Sequence, residues 1–285
     1  MPDLPTSALQ RFANLEPLPQ PPIIPLRYPV LLMHGFGILA SVRRGGHMHE
    51  LAMNLRHHGV HAYAPNVAPY NTVAARSEMW LTRIDHMLEE TGAARFTIIA
   101  HSMGGLDARY LISKRGLHDR VEAVVTISTP HRGTSIAKLA LNQPDMVREW
   151  LANMADWVGT RALEDTPSDA MQAVKELTPA FMRDTFNPEV PNHPSVRYWS
   201  YAGRAGKGTD VPLDPFFYML NNYLYKREGL NDGYISVDSA KWGDFLGTID
   251  ADHARQVGLN SNLGADFDAN AFYTSIIRIL YDQGY

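Results

Sequence analysis

Phe96-Thr97-Ile98-Ile99-Ala100-His101-Ser102-Met103-Gly104-Gly105 is the stretch that decides the fold. Its first five residues form an apolar run of strand length, and Leu106 to Lys114 follow with helical spacing. A serine between small residues at a strand-to-helix junction has the pattern of a nucleophile elbow. The turn is so sharp that only Ala or Gly fits at Ala100 and Gly104. It lifts the Ser102 hydroxyl clear of the sheet and aims it at the start of the next helix. That chemistry points to a serine hydrolase.

Outward from this junction, further strand-like runs recur at Val30–Met33, His61–Val67, Val121–Ser128, Val196–Tyr201 and Phe245–Ile249. Helical patterns lie between the early ones. His47–His58 stops at Gly59 and Thr72–Thr91 at Gly92, both suited to a left-handed cap. Ala269–Asp282 places Phe272, Ile276, Ile277 and Leu280 on one face. Strands alternating with helices at this spacing predict βαβ units, a mostly parallel central sheet and an α/β class fold.

The rhythm breaks between Leu139 and Pro194. Helical stretches Pro144–Val158 and Ser168–Leu177 appear there, divided by prolines, with no strand candidate. Residues 141–194 are therefore expected to form a helical lid inserted into a single domain of 1–285. Trp150, Met154 and Trp157 are its candidates for touching substrate. The plainer alternative is that these helices only cover the core.

Composition narrows the classes. The chain has 285 residues, 45% hydrophobic and 20% charged, which is enough for a substantial core and excludes a disordered or fibrous class. A net charge of -4 gives no footing for nucleic acid or an anionic membrane. The absence of cysteine removes disulfide and thiolate chemistry but leaves the compartment open. The apolar runs are strand-sized, so no membrane-spanning helix is expected, although transient contact with a lipid interface is allowed. Residues 1–28 carry seven prolines and no signal-peptide pattern. They read as an extended surface arm of a cytoplasmic chain, or of a secreted form whose leader precedes residue 1. Oligomeric state is not legible.

A serine hydroxyl needs a base, and the base needs an acid to hold its tautomer. In α/β-hydrolases the chain order is Ser, then Asp or Glu, then His. Of the 12 histidines only His253 follows His193, and it sits in a polar loop after the last strand-like run. Asp232, in the turn Gly229-Leu230-Asn231-Asp232-Gly233, is the acid candidate, with Asp250 and Asp252 as rivals too close to His253 in sequence. The oxyanion needs two backbone donors. Met103, just after the nucleophile, and Phe36, after His34-Gly35, are assigned to supply them. His101 is expected to point away from the active side of the elbow. The cluster His47, His49, His57, His58 and His61 lacks persuasive metal-ligand spacing, so no metal is assigned and no organic cofactor is called for.

Taken together, these residues resemble the bacterial true lipases of the Pseudomonas, Burkholderia and Proteus type. The resemblance is carried by Tyr28-Pro29-Val30-Leu31-Leu32-Met33-His34-Gly35-Phe36, by Ala100 to Gly105 with Arg109-Tyr110, and by Thr129-Pro130-His131-Arg132-Gly133-Thr134. Leu177-Thr178-Pro179 with Thr185-Phe186-Asn187, then Leu213-Asp214-Pro215 and Asn231-Asp232-Gly233, follow in the same order. It implies an α/β-hydrolase fold, a Ser102-Asp232-His253 triad and a carboxylic-ester substrate, most of all an acyl lipid. A polyester depolymerase or a non-catalytic binding module on the same fold are the alternatives.

The departures are informative. Ala100 stands for the usual Gly, and the family disulfide cannot form. The family calcium site uses two aspartates; Asp214 matches one, but Arg255 stands at the other. A cation cannot ligate calcium, so Arg255 is expected to pair with Asp214 and replace the metal bridge.

Overall fold

The computed structural model describes residues 21–36, 48–142, 168–259 and 267–285. Six parallel strands form one sheet in the order β2-β1-β3-β4-β5-β6. They are β1 Val30–Met33, β2 Ala62–Tyr63, β3 Phe96–His101, β4 Val121–Ile127, β5 Arg197–Gly203 and β6 Asp244–Ile249. The helices that bear on the site are α1 His49–His57, α2 Val73–Thr91, α3 Gly104–Lys114, α4 Ser135–Asn142, α5 Ser168–Glu176, α6 Tyr218–Glu228 and α7 Ala269–Asp282.

The central strands are buried on both faces, which is why they read as continuous apolar runs rather than alternating ones. Alternation still sorts their side chains. Val30, Leu32, Ile99 and Val125 face a core shared with Leu55 of α1 and Ile277 of α7. Leu31, Met33, Ile98 and Val124 face the opposite core with Trp80 of α2 and Leu111 of α3. The result is a helix–sheet–helix sandwich, and the α/β class with a parallel sheet agrees with the sequence reading.

Helix boundaries follow local chemistry. Thr72 caps α2 by accepting from the Ala75 amide at 3.3 Å, and Gly92 ends it at φ 65°. Asp268 caps α7 through the Ala271 amide at 2.8 Å. On α7, Tyr273 is buried with Ile276, Ile277 and Leu280, while Phe272 is only partly covered.

The expected strand His61–Val67 is corrected to two residues. Pro65 has no amide to donate, and the residue before a proline is itself restricted, so the chain leaves the sheet there. The Val67 amide bonds instead to His34 Nε2 at 3.1 Å. The N-terminal arm is described only from residue 21, where Ile24 joins the sheet-covering core and its amide donates to the His58 carbonyl.

Pro144–Val158, with Trp150, Met154 and Trp157, lies outside the described residues. Ahead of β5 the chain is helical from Pro179 to Glu189, with a π-helical turn at Met182–Phe186. Among the described residues no helix is long and apolar enough to cross a membrane.

Candidate active site

Because all six strands run the same way, their carboxyl ends share one edge, and the loops that leave it carry the candidate residues. Ser102 follows β3 with φ at 55°, a left-handed conformation that a non-glycine residue adopts at a cost of about 1–2 kcal/mol. Surrounding contacts hold it there. Its amide donates to the Ile127 carbonyl at 2.9 Å, and its own carbonyl accepts from Thr129 Oγ1 at 2.7 Å. Gly104 is required by space: a Cβ there would lie 2.5 Å from the Met33 carbonyl oxygen. Ala100 is fully buried in β3.

His253 and Asp232 come from different loops, after β6 and after α6. Their side chains meet at 2.7 Å, His253 Nδ1 to Asp232 Oδ2, and the His253 amide donates to the Asp232 carbonyl at 2.9 Å. The other carboxylate oxygen accepts from the amides of Tyr234 at 3.0 Å and Ile235 at 2.8 Å. Burial alone would push the Asp232 carboxyl up, but His253, the Ile235 amide and Gln256 together hold it below the usual carboxylate range. Of the rivals, Asp250 pairs with Arg204 at the surface at 2.7 Å, and Asp252 faces Arg255.

His101 is corrected. Its ring lies 4.4 Å from that of His253, tilted 44°, and both are buried. His101 is the last residue of β3, so its side chain stands at the carboxyl edge of the sheet, where the loop bearing His253 passes. His253 therefore sits at the elbow, with the ring of Tyr234 edge-on to it at 5.2 Å.

The His34–Phe36 loop is built tightly against Ser102. A Cβ on Gly35 would lie 2.5 Å from Ser102 Cβ and 2.9 Å from its Oγ. Met103 is buried at the N-cap of α3, and Phe36 is half-buried with its ring edge-on to Tyr70 at 5.2 Å. Behind this loop lies an ion pair that composition and spacing did not reveal. Arg76 Nε donates to Asp107 Oδ2 at 2.8 Å, and both side chains are wholly buried. Arg76 Nη2 also donates to the His34 carbonyl at 2.7 Å, and Nη1 to the Ala68 carbonyl at 2.9 Å. Trp80 Nε1 reaches the same Asp107 oxygen at 3.0 Å. Burial pushes the Asp107 carboxyl up, against the pull of Arg76 and Trp80.

A second buried arginine fastens the Asn187–Val190 stretch that precedes β5. Arg109 on α3 lies 3.8 Å over the Trp242 ring and donates to Asn187 Oδ1 and the Val190 carbonyl, each at 2.9 Å. Burial pushes its guanidinium down to about 9. His131, stacked on Trp242 at 5.0 Å, is pushed well below its usual range by burial, with Arg109 adding to the effect.

The expected Arg255–Asp214 pair is corrected as well. Among the described residues the carboxylate that faces Arg255 is Asp252, 3.4 Å from Nε, and Arg255 Nη1 donates to the Pro212 carbonyl at 2.9 Å. Asp214 instead caps the short turn Pro215–Phe217, accepting from the Phe216 amide at 2.9 Å. Pro215 at the first helical position favours that capping role. Asp252 Oδ2 accepts the Asp214 amide at 3.3 Å. The His253 loop and the 212–214 loop are thus joined through a buried guanidinium. That donor set does not fit calcium, because a fixed cation lies where the second carboxylate would be needed. Among the described residues no cluster of His, Asp and Glu is arranged to hold a metal.

A parallel sheet between two helix layers, with a left-handed serine turn at the carboxyl end of β3 and an Asp–His pair on later loops, has the architecture of the α/β-hydrolase fold. The chain belongs to the family described as a domain of unknown function, DUF7379, whose profile matches residues 10–191. It is similar to triacylglycerol lipase 2 of Saccharomyces cerevisiae, 34% identical over 175 residues, 60% of this chain and 48% of that protein. It is also similar to the triacylglycerol lipase of Vibrio cholerae, 29% identical over 241 residues, 77% of this chain and 76% of that protein. The chain spans about half the length of the first curated relatives it matches. Among solved structures, the mature Bacillus licheniformis lipase BlEst2 superposes with TM-score 0.66 at 22% identity, covering 92% of this chain and 96% of that one. The metagenomic carboxyl esterase MGS0156 does so with TM-score 0.70 at 18% identity, covering 94% and 79%.

Proposed function

We propose that this chain hydrolyses carboxylic esters, acyl lipids foremost, through an acyl-enzyme on Ser102. The observation that carries the reading is the 2.7 Å Asp232–His253 hydrogen bond beside an elbow whose serine is held at φ 55°. Ser102 Oγ attacks the ester carbonyl while His253 takes its proton. The amides of Met103 and Phe36 donate to the oxyanion. His253 then returns the proton to the leaving alcohol, and Asp232 stabilises the imidazolium in between. Water attacks the acyl-enzyme through the same base.

The acyl-lipid preference is supported by the apolar cluster to which Met103 and Phe36 belong. Leu177 and Phe181, from the end of the insertion, are half-buried members of it, so apolar surface flanks the oxyanion loop. The curated relatives named triacylglycerol lipase point the same way.

The test is a p-nitrophenyl ester series of increasing chain length on purified protein, beside Ser102→Ala. The variant is expected to fold and to lose on the order of 10³-fold or more in turnover. A fluorophosphonate should label Ser102 alone. Labelling at another serine, or near-wild-type turnover by the variant, rejects the proposal.

A further inference from the structure

Gln256 is wholly buried on the turn Arg255–Val257, three residues after His253. Its Nε2 donates to Asp232 Oδ2 at 2.8 Å, the same oxygen that receives His253 Nδ1 at 2.7 Å. The second acceptor near that amide nitrogen is the Ala251 carbonyl at 3.4 Å. Both neighbours are acceptors, so the NH₂ end must face them; a flipped amide would set oxygen against oxygen. The other end, Oε1, is buried and finds no donor among the described residues. An orphaned acceptor costs free energy that a leucine or methionine of similar volume would avoid. The fold also clears space for this amide. A Cβ on Gly203, at the end of β5, would lie 1.9 Å from Gln256 Nε2.

We propose that Gln256 is a positioning residue for Asp232, fixing the carboxylate plane and sharing the charge of the oxygen that grips His253. The inference rests on the ester-hydrolase reading of Ser102 and extends it. With the Tyr234 and Ile235 amides on Oδ1, the Gln256 bond completes four donors on one carboxylate. Sharing Oδ2 has a direction. A carboxylate oxygen that already accepts from an amide attracts the Nδ1–H of His253 less strongly. The charged and titratable groups around the pair are His101 from β3, Tyr234 from the Asp232 loop, and Asp252 and Arg255 from the His253 loop.

The experiment measures the rate of Ser102 labelling by a fluorophosphonate across pH, for wild type, Gln256→Met and Gly203→Ala. Gln256→Met removes the donor at similar volume. Gly203→Ala keeps the glutamine but drives its amide off Asp232. In both, the acid limb is expected to move to higher pH by roughly half a unit to one unit, about a three- to tenfold loss of rate below the limb. A uniformly slower Gln256→Met whose limb stays at the wild-type pH would show mere packing and overturn the inference. If Gln256→Met does not fold, Gly203→Ala decides: a moved limb supports the inference and an unmoved limb overturns it. A wild-type protein that is not labelled at Ser102 removes the parent reading, and this one with it.

Discussion

The buried Arg76–Asp107 pair makes stability and catalysis separable. Both side chains are wholly buried, and Arg76, unlike Asp107, also donates to the carbonyl of His34, which begins the proposed oxyanion loop. Two substitutions break the ion pair differently. Arg76→Met removes the pair and the anchor on His34 together. Asp107→Asn removes only the charge of one partner and leaves Arg76 bonded to His34 and Ala68. Each leaves one buried charge uncompensated, a loss of about 3–5 kcal/mol. At about 2–4 °C per kcal/mol for a chain of this size, both should melt roughly 6–20 °C lower. Turnover per folded molecule should differ. Loss of the anchor displaces the Phe36 amide, and a misplacement of about 1 Å can cost on the order of 10²-fold in rate. Asp107→Asn should stay within a few-fold of wild type. The assay is thermal unfolding beside p-nitrophenyl ester turnover at 25 °C, normalised to titrated Ser102. Equal activity losses in the two variants would refute the anchoring argument, and an unchanged melting temperature in both would refute the buried-pair argument.

Gly35→Ala should fold but abolish turnover, because its new Cβ would occupy space 2.9 Å from Ser102 Oγ; fluorophosphonate labelling reads this directly. Asp232→Asn should cut turnover by about 10⁴-fold while a native circular dichroism spectrum is retained. Asp232 has a folded value below its unfolded one of about 3.9, so its contribution to stability is present above that pH and lost as pH falls through the folded value; urea unfolding midpoints should decline there in wild type and less in Asp232→Asn. Chelator should change neither activity nor melting temperature, whereas Arg255→Ala, which leaves Asp252 buried and unpaired, should destabilise by about 3–5 kcal/mol in denaturant unfolding.

Much of the fold was legible because its central strands are buried on both faces and appear as uninterrupted apolar runs. β1 matches the sequence reading residue for residue, while β2 shrank because Pro65 cuts it short. Ser102, His253 and Asp232 stood out by chain order and by the scarcity of late histidines, and the structure brings Asp232 and His253 into contact. The supporting shell was not legible. Arg76 looks like one more polar position on an amphipathic helix, and its partner lies 31 residues on. Gln256 and Trp242 sit in polar or irregular stretches that carry no periodic signal. Their roles arise only when separate loops converge, which local patterning does not encode. Arg255 stands out in the sequence, but its partner does not, because the capping preference of an Asp-Pro pair takes Asp214 away from ion pairing.

The left-handed serine also bears on how this chain would respond to selection for heat resistance. Glycine is the residue that φ 55° favours, so the backbone at position 102 is held in place at the expense of folding free energy. Random mutagenesis screened only for thermal tolerance would therefore reward Ser102→Gly, a substitution that relaxes the turn and deletes the proposed nucleophile. Any stabilisation campaign has to score hydrolysis at every round, because the elbow is where robustness and activity pull in opposite directions.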